Sequence, residues 1–193
     1  MRIAIIGSSG SGKSTLGRRL AGRLGIPAVE LDALNWEAGW RNLSLEDPEE
    51  LTRRIQAAIA APGWVTDGNY RAALPLILAR ATDVIWLDYS RRVVMSRVIR
   101  RSFARSASGQ ELWPGTGNTE NWRRWFDKEH PIRWAWDTYD RRKTQYAALF
   151  ADPRLAGVRK HRPRRPAEAD ALVEMLAAAK EKAPVREDEG PIS

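Results

Sequence analysis

Gly7-Ser8-Ser9-Gly10-Ser11-Gly12-Lys13-Ser14 satisfies the spacing G-x-x-x-x-G-K-[ST]. A short apolar run, Arg2-Ile3-Ala4-Ile5-Ile6, precedes the octet, and Leu16, Leu20 and Leu24 follow it at helical spacing, with Gly25 as a C-cap and Pro27 beyond. Strand, loop and helix are therefore expected in succession. Glycines let such a loop curl so that successive backbone N–H groups point inward, and the positive end of the helix beneath them favours an anion. A triphosphate suits this cradle. Gly7, Ser8, Gly10, Ser11, Gly12, Lys13, Ser14 and Thr15 are expected to hold ATP, with Lys13 bridging the β- and γ-phosphates and Ser14 offering its hydroxyl to Mg²⁺.

Outward from the cradle, apolar runs and helical patterns alternate. Ala28 to Leu31 reads as a second strand, Asp47 to Ala60 as a helix opened by Asp-Pro-Glu-Glu, and Trp64 to Thr66 as a third strand after a Pro-Gly turn. Asp83 to Leu87 reads as a fourth strand and Arg91 to Arg105 as a helix. Ala156 to His161 is a weak fifth strand before a final Ala/Leu helix from about Pro166 to Lys182. This alternation specifies an α/β fold of three layers, α/β/α, with a five-stranded parallel sheet covered on both faces. Residues 1–183 are expected to form one domain. Within it, the Gly-, Ser- and Thr-containing stretch 106–121 between long polar helices reads as a lid. The Pro/Gly/acidic stretch 184–193 reads as a disordered tail.

Composition narrows the chemistry. The 193 residues contain no cysteine, which excludes disulfides, thiolate metal sites and a cysteine nucleophile and suits a cytoplasmic location. No apolar run approaches the roughly 18 residues of a membrane span, and the N-terminal run is too short for a signal-peptide core. A soluble, unprocessed protein with no membrane partner is the expectation. The net charge of +8 favours anionic partners, and residues 91–165 hold 19 of the 32 Lys and Arg against seven Asp and Glu. His130 and His161 offer no metal-ligand spacing.

Several residue groups extend the cradle toward a reaction. Glu30-Leu31-Asp32 closes the second strand, so both carboxylates are expected on one side and Leu31 on the other. Asp32 is suited to accept a proton from an attacking hydroxyl or to hold Mg²⁺ indirectly; the competing reading is a cap on the turn leading to Trp36. Val84-Ile85-Trp86-Leu87-Asp88 is four apolar residues ending in an acid, which makes Asp88 a candidate for the metal role or an N-cap of the next helix. Arg97, Arg101 and Arg105 recur every four residues and share a helix face, where three like charges call for an anion. Trp36, Trp40 and Trp113 fall in loops near the acceptor site and lid, placed to stack on a base or sugar. Trp86 reads as core, and Trp122, Trp125, Trp134 and Trp136 as packing beneath the lid.

Trp64-Val65-Thr66-Asp67-Gly68-Asn69-Tyr70-Arg71 resembles the Asp-Gly-x-x-Arg stretch of nucleoside monophosphate kinases such as adenylate kinase. The resemblance implies that Asp67 orients Mg²⁺-bound water and that Arg71 grips the acceptor. It makes Asp67 a stronger metal candidate than Asp88, and likens Arg97 and Arg101 to the arginine pair that precedes the lid, with Arg105 on the acceptor. It also places Arg162 and His161 where related kinases pass the adenine ring. Asp32 is similar to the acidic strand end that kinases of the shikimate type use for metal and acceptor hydroxyl. Taken with Gly39-Trp40, Asn69-Tyr70 and the Arg-rich helix, the chain as far as about residue 180 looks like the FlaR-type DNA topology modulation proteins, which are adenylate-kinase-related P-loop ATPases. What this implies is a kinase using ATP and Mg²⁺ on a nucleotide, nucleoside or hydroxylated metabolite. No DNA-binding motif accompanies it. Two other readings stand beside it: an ATPase that engages DNA through the basic second half, with Trp113 or Trp122 on unstacked bases, and a nucleotide-binding regulator without turnover.

Overall fold

The computed structural model describes residues 1–70, 72–120 and 130–182. Five parallel strands, β1 (Arg2–Gly7), β2 (Ala28–Glu30), β3 (Trp64–Asp67), β4 (Asp83–Leu87) and β5 (Arg159–His161), form one sheet in the order β2-β3-β1-β4-β5. Every pairing is parallel, with Ile5 opposite Asp67 on one side and Ile85 on the other. The helices are α1 (Lys13–Leu24), α2 (Leu31–Asn35), α3 (Leu43–Glu46), α4 (Pro48–Ala58), α5 (Leu74–Arg80), α6 (Arg91–Ser108), α7 (Pro131–Ala151) and α8 (Pro166–Glu181).

The period-two alternation of β1 divides the core into two layers. Ile3 and Ile5 pack with Leu16, Leu20 and Leu24 of α1 and Val173 and Leu176 of α8, whereas Ala4 and Ile6 pack with Leu51 and Ile55 of α4, Trp64 and Trp86. Full burial of each large aliphatic side chain contributes about 1.5–3 kcal/mol, so the central strand is fixed from both faces. α1 ends on Gly25, whose φ of 57° lets its N–H reach back to the last turn. The three-layer α/β/α arrangement with a five-stranded parallel sheet is the one expected from the sequence.

The second strand differs from its sequence reading. It stops at Glu30, and Leu31–Asn35 turns into α2. Leu31 is fully buried, and Trp36 N–H donates to the Asp32 carbonyl at 3.1 Å. Burying Leu31 against the sheet bends the chain at once, so Asp32 leaves on a helical turn and the strand alternation of Glu30 and Asp32 does not apply. Glu30 instead pairs with Arg18 of α1. α6 continues three residues past its expected end, to Ser108, and the fifth strand is only Arg159–His161.

At the N-terminal end of β4, the other end of the strands from the cradle, buried Asp83 receives Arg159 through two bonds of 2.8 Å and His161 at 3.0 Å. Burial alone raises a carboxyl's pKa, but these donors and Thr82 outweigh it and hold Asp83 well below the usual carboxylate range. His161 is thus a structural partner of β4. No helix among the described residues is long and apolar enough to cross a membrane.

Candidate active site

The loop from Gly7 to Gly12 wraps the N-terminus of α1. Gly12 caps that helix at φ 96° without a side-chain bond, and no acidic residue stands in the first turn, so the free amides and the positive helix end face the cleft. Gly10 shows why the loop needs glycine: at φ 80°, a Cβ would lie 2.8 Å from Val98 Cβ and 3.0 Å from the Val94 carbonyl. Lys13 is half-buried, its Nζ donating to the Gly7 and Ser8 carbonyls at 3.0 and 3.1 Å. Burial lowers its pKa to about 8 against the opposing pull of Asp32 and Asp67. The fully buried Ser11 hydroxyl has no partner among the described residues.

Asp67 ends β3 beside the cradle, and the Ser14 hydroxyl bonds its carboxylate. Burial raises its pKa to about 6, against the lowering effect of Ser14 and Lys13. Gly68, at φ 144°, passes so close to α2 that a Cβ would meet Leu31 Cβ at 2.7 Å. This approach brings Tyr70 to Asp32, where the phenol donates to Oδ1 at 2.8 Å. Asn69 braces the end of β1 through a 2.7 Å bond to the Gly7 carbonyl.

The arginines of α6 divide. Arg97, Arg101 and Arg105 all line one cleft of about 1800 Å³ with the cradle, Asp32, Asp67 and Tyr70. Arg97 donates to the Ser11 carbonyl at 2.9 Å and stands 5.2 Å over the Tyr89 ring, bracing the loop from its far side. Arg101 is half-buried, and desolvation, reinforced by Arg105, lowers its pKa. From α7, Arg142 reaches the same space, bonded to the Tyr146 hydroxyl at 3.0 Å.

Asp88 is held by basic side chains. It receives Arg162 at 2.8 and 3.1 Å and Lys143 at 3.4 Å, while Arg162 stacks 4.1 Å over Trp86. Neither Asp88 nor Arg162 lines the cleft. The N-cap of α6 is Ser90, not Asp88. Arg71, the expected acceptor clamp, lies outside the described residues, as do Trp122 and Trp125.

Three indoles form the outer wall. Trp36 and Trp113 stack at 6.0 Å, and Trp40 meets them edge-on at 5.6 and 6.1 Å. Buried Asn118 joins the stretch after α6 to this loop by accepting from Trp40 N–H at 3.0 Å and donating to the Glu37 carbonyl at 2.8 Å. Trp134 and Trp136, expected to pack under the lid, are instead 41% and 53% exposed and carry Arg142 and Arg91 over their rings. Arginine planes cover those indoles in place of apolar side chains. Tyr70, Glu120 and His130 also line the cleft. Nothing in their spacing marks them, since each meets its partners only through the fold.

No family model matches the sequence, and no curated protein matches it. Among solved structures, the shikimate kinase of Acinetobacter baumannii in complex with shikimate aligns with TM-score 0.55 at 16% identity over 94% of each chain. The shikimate kinase of Bacteroides thetaiotaomicron aligns with TM-score 0.56 at 16% identity, over 94% of this chain and 98% of that one. The fold is that of a P-loop kinase. At this identity the likeness concerns the fold, and within that P-loop kinase-like frame the cradle, Asp67 and Asp32 stand together at the C-terminal ends of adjacent strands, where open parallel sheets place their ligands.

Proposed function

We propose that this chain transfers the γ-phosphoryl group of ATP to a hydroxyl of a small acceptor, with Asp32 as general base. The observation that carries this reading is the 2.8 Å bond from Tyr70 to Asp32 Oδ1, which orients a carboxylate within the electrostatic reach of Lys13. The cradle fits ATP: its glycines hold the positive φ angles that curl the loop, its helix N-terminus has no side-chain cap, and the Ser11 hydroxyl awaits a partner. Among the described residues no group of three or more His, Cys, Asp or Glu is arranged to hold a metal. Ser14 and Asp67 would therefore share Mg²⁺ with the phosphates, as suits an ion that retains several oxygen ligands from substrate and water. ATP and Mg²⁺ supply the transferable phosphoryl group and neutralise charge on its oxygens.

The chain's own residues do the rest. Backbone amides at the α1 N-terminus and Lys13 bind the phosphates, and Arg101 with Arg142 stabilises negative charge in the cleft. Arg97 positions the loop through Ser11. Asp32 accepts the proton of the attacking hydroxyl as its oxygen bonds to phosphorus and ADP departs. Arg105, Trp36 and Trp40 bound the acceptor, and the stretch 109–120 excludes water. The shared fold with two shikimate kinases supports an acceptor of small-molecule size. The resemblance to topology modulation proteins supports the nucleotide chemistry alone.

The test is phosphoryl transfer from Mg-ATP to a panel of nucleoside monophosphates, nucleosides and small hydroxylated metabolites, followed by ADP release and by mass spectrometry of the product. Phosphorylated product from at least one compound, lost in Asp32→Asn, is expected. ADP release at the acceptor-free rate with every compound, together with stimulation by DNA, overturns the reading.

A further inference from the structure

Glu120 closes the lid end of the cleft. Its side chain is 4% exposed, yet neither carboxylate oxygen has a hydrogen-bond partner among the described residues. Arg105 Nη1 stands 3.9 Å from Oε2, and His130 Nε2 stands 3.2 Å from Oε1 without hydrogen-bond alignment. The Arg105 guanidinium offsets charge from a distance, and neither neighbour fills the lone pairs. Buried polar atoms are ordinarily satisfied, so two open carboxylate oxygens in the wall of a ligand-sized cleft mark where a ligand brings donors.

Arg101 connects this end to the reacting end. Its charge interacts with both Glu120 and Asp32, and its buried Nε is also without a partner among the described residues. The indoles of Trp36, Trp40 and Trp113 wall the same space with flat apolar surface.

We infer that the acceptor is an unphosphorylated ring polyol, of the size of a sugar or cyclitol, that offers adjacent hydroxyls to Glu120 while another hydroxyl meets Asp32. A carboxylate with both oxygens open accepts two donors side by side, the spacing that adjacent ring hydroxyls provide. Ring oxygens accept from Arg101, and the C–H face of such a ring lies against indole. A phosphate monoester would set its own charge beside Glu120 and Asp32, whereas neutral hydroxyls bring the donors that these carboxylates accept. The inference rests on the phosphotransfer reading above and names the substrate class for it.

The experiment measures Mg-ATP-dependent product formation with free pentoses, hexoses and cyclitols, with nucleosides and with nucleoside monophosphates, in wild type, Glu120→Gln and Glu120→Asp. Free ring polyols are expected to be the best acceptors. Glu120→Gln should raise the acceptor KM by about tenfold or more, with KM for ATP within about twofold, because loss of a matched polar contact falls on the substrate that made it. Glu120→Asp should recover part of that loss. A deoxy acceptor lacking one of the adjacent hydroxyls should be discriminated against by wild type and much less by Glu120→Gln. Should Glu120→Gln fail to fold, as read by its circular dichroism melt, wild-type discrimination between the parent and deoxy acceptors decides the matter. Preferred turnover of nucleoside monophosphates, or an unchanged acceptor KM in folded Glu120→Gln, overturns the polyol inference and leaves phosphotransfer standing. Absence of product from every compound overturns both.

Discussion

Tyr70 and Asp32, 38 positions apart in sequence, meet through a 2.8 Å hydrogen bond from the phenol to Oδ1. The bond leaves Oδ2 to serve the acceptor and limits rotation of the carboxylate. Tyr70→Phe is expected to lower kcat about 10- to 100-fold with little change in KM for ATP, since a misaimed base slows the transfer step rather than nucleotide binding. Asp32→Asn is expected to lose about 10²- to 10⁴-fold, the usual contribution of a general base. Steady-state kinetics on both variants checks the order of the two effects.

Asp67 couples protonation to stability. Its pKa rises from 3.8 to about 6 on folding, so the folded protein holds that proton more tightly than the unfolded chain does. The resulting stabilisation is complete below pH about 4 and is lost as pH rises through about 6. In Mg²⁺-free buffer, Asp67→Asn should therefore flatten the loss of stability between those values. At pH 7 it should melt above wild type by an amount on the order of 1 kcal/mol, while turnover falls sharply. Thermal melts at pH 4, 5, 6 and 7 test the sign, and a variant less stable than wild type at pH 7 contradicts it.

Gly10→Ala places a methyl group 2.8 Å from Val98 Cβ at a φ of 80°. Strain and overpacking together should cost about 2–4 kcal/mol. Because the displaced backbone belongs to the phosphate cradle, KM for ATP should rise as well. Denaturant titration and ATP titration measure the two effects separately, and an unchanged midpoint refutes the close packing of this loop on α6.

Asp88 and Asp67 compete for the metal role in the sequence and are separated by their surroundings. Asp88 is engaged by Arg162 and Lys143. Arg162→Ala should destabilise the protein by about 1–3 kcal/mol, because it leaves Asp88 buried with one cation fewer and uncovers Trp86. Mg²⁺ dependence of turnover should remain that of wild type. A raised Mg²⁺ requirement in Arg162→Ala, matching that of Asp67→Asn, would return Asp88 to the metal site.

Local pattern carried much of this molecule. The octet from Gly7 to Ser14 is legible because a phosphate cradle is built from contiguous backbone, and β1 and α1 are legible because their apolar periods differ. The shared face of Arg97, Arg101 and Arg105 follows from the helical repeat, although their separate tasks do not: Arg97 finds the Ser11 carbonyl, 86 positions away in sequence, and Arg101 finds Glu120 and Asp32. Asp32 lines the cleft, but by a route that the strand pattern does not give, since burial of Leu31 turns the chain into α2 before strand alternation applies.

The amino-acid sequence by itself determined the layered α/β architecture, the cradle and the order of the strands' neighbours along the chain, all of which depend on residues within a few positions of one another. Only the tertiary structure decided that Tyr70 bonds Asp32, that Arg162 pairs with Asp88, and that the Glu120 carboxylate is buried without a hydrogen-bond partner among the described residues. Those outcomes depend on which side chains meet across strand ends and helix faces, and burial decides them by making every charge removed from water depend on whatever partner the packing supplies.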